Sequence, residues 1–251
     1  MAVPALTRRA AGLHPLGGAD GEALGSGLLV QPINSISSIG LAVAGIATFL
    51  AARARRGSQV DAGVFAVALT AAGLGSVDYH GTQTRLAHWS HDVGLVAALA
   101  FVATYDAGRT LGWSPTQRHV ALAATVAAAG ATAAVAPESG AVLGVAVGGA
   151  AAAAEVATLV REGLPDRRDR RLLGVSAAVL GLGVAAYVLG RSGGPAAHPS
   201  SPVPGHAVWH VAAAVSLAAW GAARLVPLKR RLHVVPDRVQ LDDVVATATR
   251  G

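Results

Sequence analysis

Seven apolar stretches, each about as long as a helix must be to cross a bilayer, constrain this chain more than any other feature. They cover residues 30–52, 61–80, 90–111, 118–136, 140–160, 172–190 and 205–226. A helix needs roughly 20 apolar residues to traverse the ~30 Å hydrocarbon core. The breaks between them are polar or helix-breaking: Arg53 to Ser58, Gly81 to Arg85, Gly112 to Pro115, Pro137 to Gly140, Arg161 to Arg171 and Arg191 to Pro195. The fourth and fifth stretches nearly touch and could form one long hairpin. Composition agrees, with 53% hydrophobic and only 14% charged residues, where soluble domains carry about 25% charged. The expectation is an all-α membrane protein with seven transmembrane helices over residues 28–227. An extracytoplasmic segment, 1–27, precedes them and a basic cytoplasmic tail, 228–251, follows. Residues 1–27 are too broken by Arg8, Arg9, His14 and Pro15 to read as a signal peptide.

The net charge of +6 is concentrated in the breaks and the tail. It therefore reads as a topology signal and not as a nucleic-acid footprint. Sixteen of the 20 Lys and Arg fall in the first, third and fifth connections and the C-terminal end, and four on the other side. The positive-inside rule then predicts a cytoplasmic C-terminus and an N-terminus outside. An odd number of spans agrees. The Ala- and Arg-heavy composition resembles that of a GC-rich bacterium, so a bacterial plasma membrane is the expected location.

Ionisable side chains at membrane depth are expensive and are functional suspects. His206 and His210 open the seventh stretch at i, i+4, so on a helix they share a face. His80 ends the second stretch, and Asp92 begins the third. With the predicted topology all four lie at the same, extracytoplasmic, face. The chain has no cysteine, so a metal must be held by His, Asp or Glu. Three imidazoles plus water is a common catalytic zinc layout, and imidazole without a soft ligand favours Zn2+. A single histidine in a membrane helix is often just an interhelical hydrogen bonder; three on one face are read here as metal ligands. A haem is the lesser option, because His206 and His210 share a face and cannot both be axial ligands.

Ser76 lies one turn before His80 and faces the same way. It is a candidate donor to the oxyanion formed on a carbonyl substrate, and Asp92 a candidate proton carrier or an acceptor that orients a liganding histidine. Together these residues predict zinc-dependent hydrolysis of an amide or ester in a lipid substrate, with a non-catalytic receptor or transporter holding structural zinc as the alternative. The remaining polar residues have plainer readings. Asn34 is expected to pack or support the site, and His88, His91, Asp78 and Tyr79 to lie near the interface. Asp106 and Arg109 are expected to pair at i, i+3, and Glu155 to reach toward Arg161. Trp89, Trp113, Trp209 and Trp220 suit an aromatic belt.

The pattern Ser76-x-x-x-His80, Asp92, His206-x-x-x-His210 resembles the alkaline ceramidases. These belong to a wider superfamily of seven-helix hydrolases that includes the adiponectin and progestin receptors. The segment Gln31 to Ser38, with Asn34, is similar to the family's first span. The resemblance implies Zn2+-dependent cleavage of the amide in a ceramide-like or other N-acyl lipid, with His80, His206 and His210 as ligands and Ser76 and Asp92 in catalysis. It also implies Ca2+ at Asp20 and Glu22, where the family carries an acidic motif. The chain departs from that motif: the neighbouring Trp and Cys are absent and Gln31 stands in place of a glutamate.

Overall fold

A computed structural model describes residues 20–227 of the chain. Each apolar stretch becomes one helix: α1 Pro32–Ala54, α2 Gln59–Thr82, α3 Arg85–Leu111, α4 Pro115–Val135, α5 Gly140–Glu162, α6 Arg167–Gly190 and α7 Gly205–Arg224. A single 3-10 turn, Pro137–Ser139, separates α4 from α5, so these are two helices joined by a tight corner. No strand occurs among the described residues. Most of the expected 1–27 segment and all of the 228–251 tail lie outside them.

Local chemistry sets the boundaries. The side chains of Ser58, Thr84, Ser114 and Asp166 accept the first free amides of α2, α3, α4 and α6, as N-caps do. α1 has no cap of its own; both oxygens of Glu22 accept from its first turn, from Ile33 N at 3.0 Å and Asn34 N at 2.8 Å. α2 stops where Gln83 turns left-handed at φ 55°.

Six helices, α1 to α6, are long and apolar enough to cross a membrane. α7 is of similar length, 20 residues, and carries two His, two Trp and Arg224 on its largely buried surface. α1, α2 and α3 bury about half of their most apolar windows, whereas α5 and α6 bury 11% and 6%. The helix with the highest hydropathy, α6, is thus the least buried, the reverse of a water-soluble fold. Large apolar side chains such as Val145, Val160 and Leu182 are exposed, which in a bilayer is ordinary lipid contact.

The helices pack in the sequence α6, α7, α1, α2, α3, α5, with α4 also against α3. Close approach depends on small residues. A Cβ on Gly75 would meet Ser90 O at 2.7 Å, and one on Gly94 would meet Ala71 O at 2.8 Å, so α2 and α3 cross backbone to backbone. Gly190 and Gly205 do the same for the end of α6 and the start of α7, with Cβ-to-Cα distances of 2.7–2.8 Å. Those two crossings bring His80, Asp92 and His206 to one end of the bundle.

The opposite end corrects several sequence expectations. Arg109 does not pair with Asp106; it reaches across to Glu162 on α5. Glu155 does not turn toward Arg161. It accepts from Trp220 Nε1 at 3.0 Å and from Arg224. Asp106 is fully buried with Arg224 Nε 3.8 Å away. Trp220 leaves the aromatic belt and joins Phe65, Phe101 and Tyr105 in the core. For Glu155, Asp106 and Trp220 the cause is the inward face of α7: the groups near its end face protein, and their neighbours meet them there.

This cluster has a measurable consequence. Arg224 is 5% exposed, while Arg109 and Glu162 are each about a third exposed. Removing one partner of a buried pair costs ~3–5 kcal/mol; an exposed pair contributes at most about 1 kcal/mol. Arg224→Met is therefore expected to destabilise the detergent-solubilised protein far more than Arg109→Met. Equal shifts in reversible unfolding would refute this account.

Candidate metal centre

His80 sits near the end of α2, and His206 and His210 lie in the first two turns of α7. One ring nitrogen from each lies within 4.8 Å of the others, and all three residues are buried. Ring centroids are 4.8 Å apart for His80 and His206, 5.1 Å for His80 and His210, and 4.5 Å for His206 and His210.

What surrounds the rings decides which nitrogen each presents. His80 Nδ1 lies 2.7 Å from Gln31 Oε1. Gln31 Nε2 donates to Glu22 O at 2.9 Å, which fixes the amide with its oxygen toward His80. Gln83 Nε2 donates to the same oxygen at 3.2 Å. His80 Nδ1 is therefore the protonated donor, and Nε2 is bare. His210 Nδ1 lies 3.0 Å from Ser37 Oγ and 3.1 Å from Ser38 Oγ. Both hydroxyls donate their own hydrogens to Asn34 O, at 3.0 and 2.7 Å. They are left as acceptors, so His210 also carries its proton on Nδ1. His206 Nδ1 faces Asp20 Oδ1 at 3.3 Å. For His80 and His210 this is the pattern of liganding histidines, whose second nitrogen is tied to an outer acceptor.

The buried Nε2 of His80 and both ring nitrogens of His206 have no hydrogen-bond partner. Unsatisfied buried polar atoms are costly, and three neutral imidazoles aimed at one point are a fitting donor set for a divalent metal ion. Asn34 Oδ1 and Nδ2, Ser35 Oγ and Gln83 Oε1, in the segments that meet at this end, are likewise buried without partners.

Ser76 is in the cluster. Its Oγ lies 2.8 Å from Ser38 Oγ and 3.2 Å from His210 Nε2. Asp92 is at the same end but its carboxylate faces other groups. It lies 2.9 Å from His91 Nδ1 and 3.4 Å from His88 Nε2. A Cβ on Gly140 would fall 2.0 Å from Asp92 Oδ2, so the carboxylate occupies space above the start of α5, where the helix dipole favours negative charge. His91 bridges the two groups, with its ring 5.9 Å from that of His80. Tyr79 stacks on His88 at 4.9 Å. His88 and His91, read from the sequence as interfacial, are thus the partners of Asp92.

Four supporting residues were not legible in this role. Ser37, Ser38, Gln31 and Asp20 act on the rings across helices. The only signal is the density of polar residues in Gln31 to Ser38 at the mouth of an apolar stretch. The two acidic residues matched to a calcium motif are engaged separately. Glu22 caps α1, and Asp20 faces His80 and His206. Calcium takes six to eight oxygens, and here the glutamate of the motif is the neutral Gln31, directed at His80.

No known protein family, curated protein or solved structure matches this chain.

The geometry predicts metal content. Purified protein is expected to hold about one divalent ion per chain, as a three-histidine site does, and a His206→Ala, His210→Ala double variant to hold none by elemental analysis. Retention of the ion by the folded double variant would rule out this centre.

Proposed function

We propose that this chain is an integral-membrane, zinc-dependent amidohydrolase that cleaves the amide of an N-acyl lipid. The observation that carries the proposal is the buried triad of His80, His206 and His210, with a ring nitrogen of each within 4.8 Å of the others and the rings of His80 and His210 tied through Nδ1. An all-imidazole set in a chain without cysteine favours zinc over softer or harder metals. A zinc ion held there supplies a Lewis acid and lowers the pKa of its water toward ~7.

The chain's own residues supply the rest. Ser76 places a hydroxyl beside His210, where it donates to a carbonyl oxygen as negative charge develops. Asp92, with His91 and His88 on its two oxygens, holds a proton and returns it to the leaving amine. The apolar outer faces of α5 and α6 leave the acyl chain of a substrate in hydrocarbon while its amide meets the polar end of the bundle. The resemblance to the alkaline ceramidases, carried by Ser76, His80, Asp92, His206 and His210, points to the same chemistry and to ceramide-like lipids as the first substrates to test. The distribution of Lys and Arg directs the histidine end to the extracytoplasmic face, where it would act on lipids of the outer leaflet of a bacterial plasma membrane.

The test is release of fatty acid from a panel of N-acyl lipids by the detergent-solubilised full-length protein. Ser76→Ala is expected to lower kcat ~10²–10³-fold, as loss of an oxyanion donor does. Asp92→Asn is expected to cost ~10²–10⁴-fold, as loss of general acid–base assistance does. Both variants should keep their zinc. A zinc-loaded wild type that releases nothing from any member of the panel would overturn the enzyme reading and favour a receptor or transporter with structural zinc.

A further inference from the structure

The metal centre is assembled from more than the helical bundle. Residues 20–31 cross its histidine end as a strap before α1 begins. The strap is tied to each element that carries a ligand or supports one. Val30 N donates to Gly81 O at 2.9 Å and Gln31 N to His80 O at 2.8 Å, at the end of α2. Glu22 caps α1. Ala23 N donates to Pro199 O at 3.0 Å, in the connection that leads to α7. Gly21 has φ +75°, and a Cβ there would fall 2.2 Å from Gly190 O at the end of α6. Only glycine fits that conformation and that contact, and its neighbour Asp20 is thereby aimed at the rings. Asp20 Oδ1 lies 3.3 Å from His206 Nδ1, and Oδ2 lies 3.6 Å from His80 Nδ1.

Two needs of a three-histidine centre converge on this carboxylate. The first is orientation. His80 has Gln31, and His210 has Ser37 and Ser38; the acceptor that faces His206 Nδ1 is Asp20. The second is charge. Neutral imidazoles bring none, and a divalent ion at buried depth requires compensation. Asp20, buried in the strap, brings a carboxylate within 3.3–3.6 Å of two of the three rings, where its charge offsets that of an ion.

We propose that Asp20 is a positioning residue of the metal centre, an outer carboxylate delivered by the strap that fixes His206 and offsets the charge of the ion. It acts through Nδ1 of His80 and His206, which it faces at 3.6 and 3.3 Å, and not as a direct ligand. The proposal rests on the zinc reading above and deepens it.

The experiment is a zinc titration of full-length protein in detergent against a chromophoric chelator, paired with thermal melts of the metal-free protein. Asp20→Asn keeps the shape and removes the charge; it is expected to weaken zinc binding ~10–100-fold, the usual cost of losing an outer partner. Its metal-free melt should match wild type, whereas Glu22→Gln, which loosens the cap of α1, should lower it. Gly21→Ala displaces the strap without touching a ligand or a charge, and it should reproduce the loss of zinc affinity. Wild-type affinity in Asp20→Asn overturns the proposal, as does wild-type affinity in Gly21→Ala if Asp20→Asn does not fold. A wild type that binds no zinc defeats the zinc reading itself, an outcome distinct from either.

Discussion

Hydrocarbon offers no hydrogen bonds, so a polar group carried into the bundle must find its partner on another helix. That constraint falls hardest on α7. It carries His206 and His210 at its start and Arg224 at its end, and all three side chains are buried. The partners at the start come from Ser37 and Ser38 on α1, Ser76 on α2, and Asp20 in the strap. Those at the end come from Asp106 on α3 and Glu155 on α5. An α7 seated between α6 and α1, with its polar side chains directed inward at α1, α2, α3 and α5, satisfies both sets at once. The arrangement of the bundle follows from the polar side chains of one helix more than from the apolar side chains of the other six.

The apolar helices have a different task. α5 and α6 are nearly devoid of buried positions and cannot be held by a hydrophobic effect within lipid, because their outward faces gain nothing by leaving it. They are fastened at points: α5 by Glu155 to Trp220 and Arg224 and by Gly140 beneath Asp92, α6 by Ser176 Oγ to Ser216 Oγ at 3.0 Å and by the Gly190–Gly205 crossing. Small residues matter here because a hydrogen bond between helices needs their backbones close. Glycine at 75, 94, 190 and 205 sits where polar groups must reach across.

These same facts explain how far the sequence could be read. Length and hydropathy placed seven helices within a few residues, since capping by Ser58, Thr84, Ser114 and Asp166 is local. The spacing of His206 and His210 announced a shared face, and a shared end with His80 followed from counting spans. What spacing could not supply is which helix lies beside which, because hydropathy is nearly uniform around a membrane helix and carries little rotational information. Asp106 and Arg109 are one turn apart, yet each finds its partner on another helix. Ser37 and Ser38 look like ordinary membrane serines until α7 arrives beside α1. Asp20 sits far from any apolar stretch and comes to the histidines only through the left-handed turn at Gly21.

The hydroxyls show how finely this centre depends on such non-local pairing. Ser37 and Ser38 both commit their hydrogens to Asn34 O, which forces His210 to protonate Nδ1 and leaves Nε2 as a lone pair. Ser76 then has two acceptors for its hydrogen, Ser38 Oγ at 2.8 Å and His210 Nε2 at 3.2 Å. A bare Nε2 can take it; an Nε2 committed to a metal cannot, because its one lone pair is used. A metal held by His210 Nε2 would therefore leave the Ser76 hydrogen to Ser38 Oγ or to another oxygen at the centre. The serine that donates to a metal-free His210 would change acceptor with an ion bound, and that change would follow from the tautomer that α1 imposes on α7.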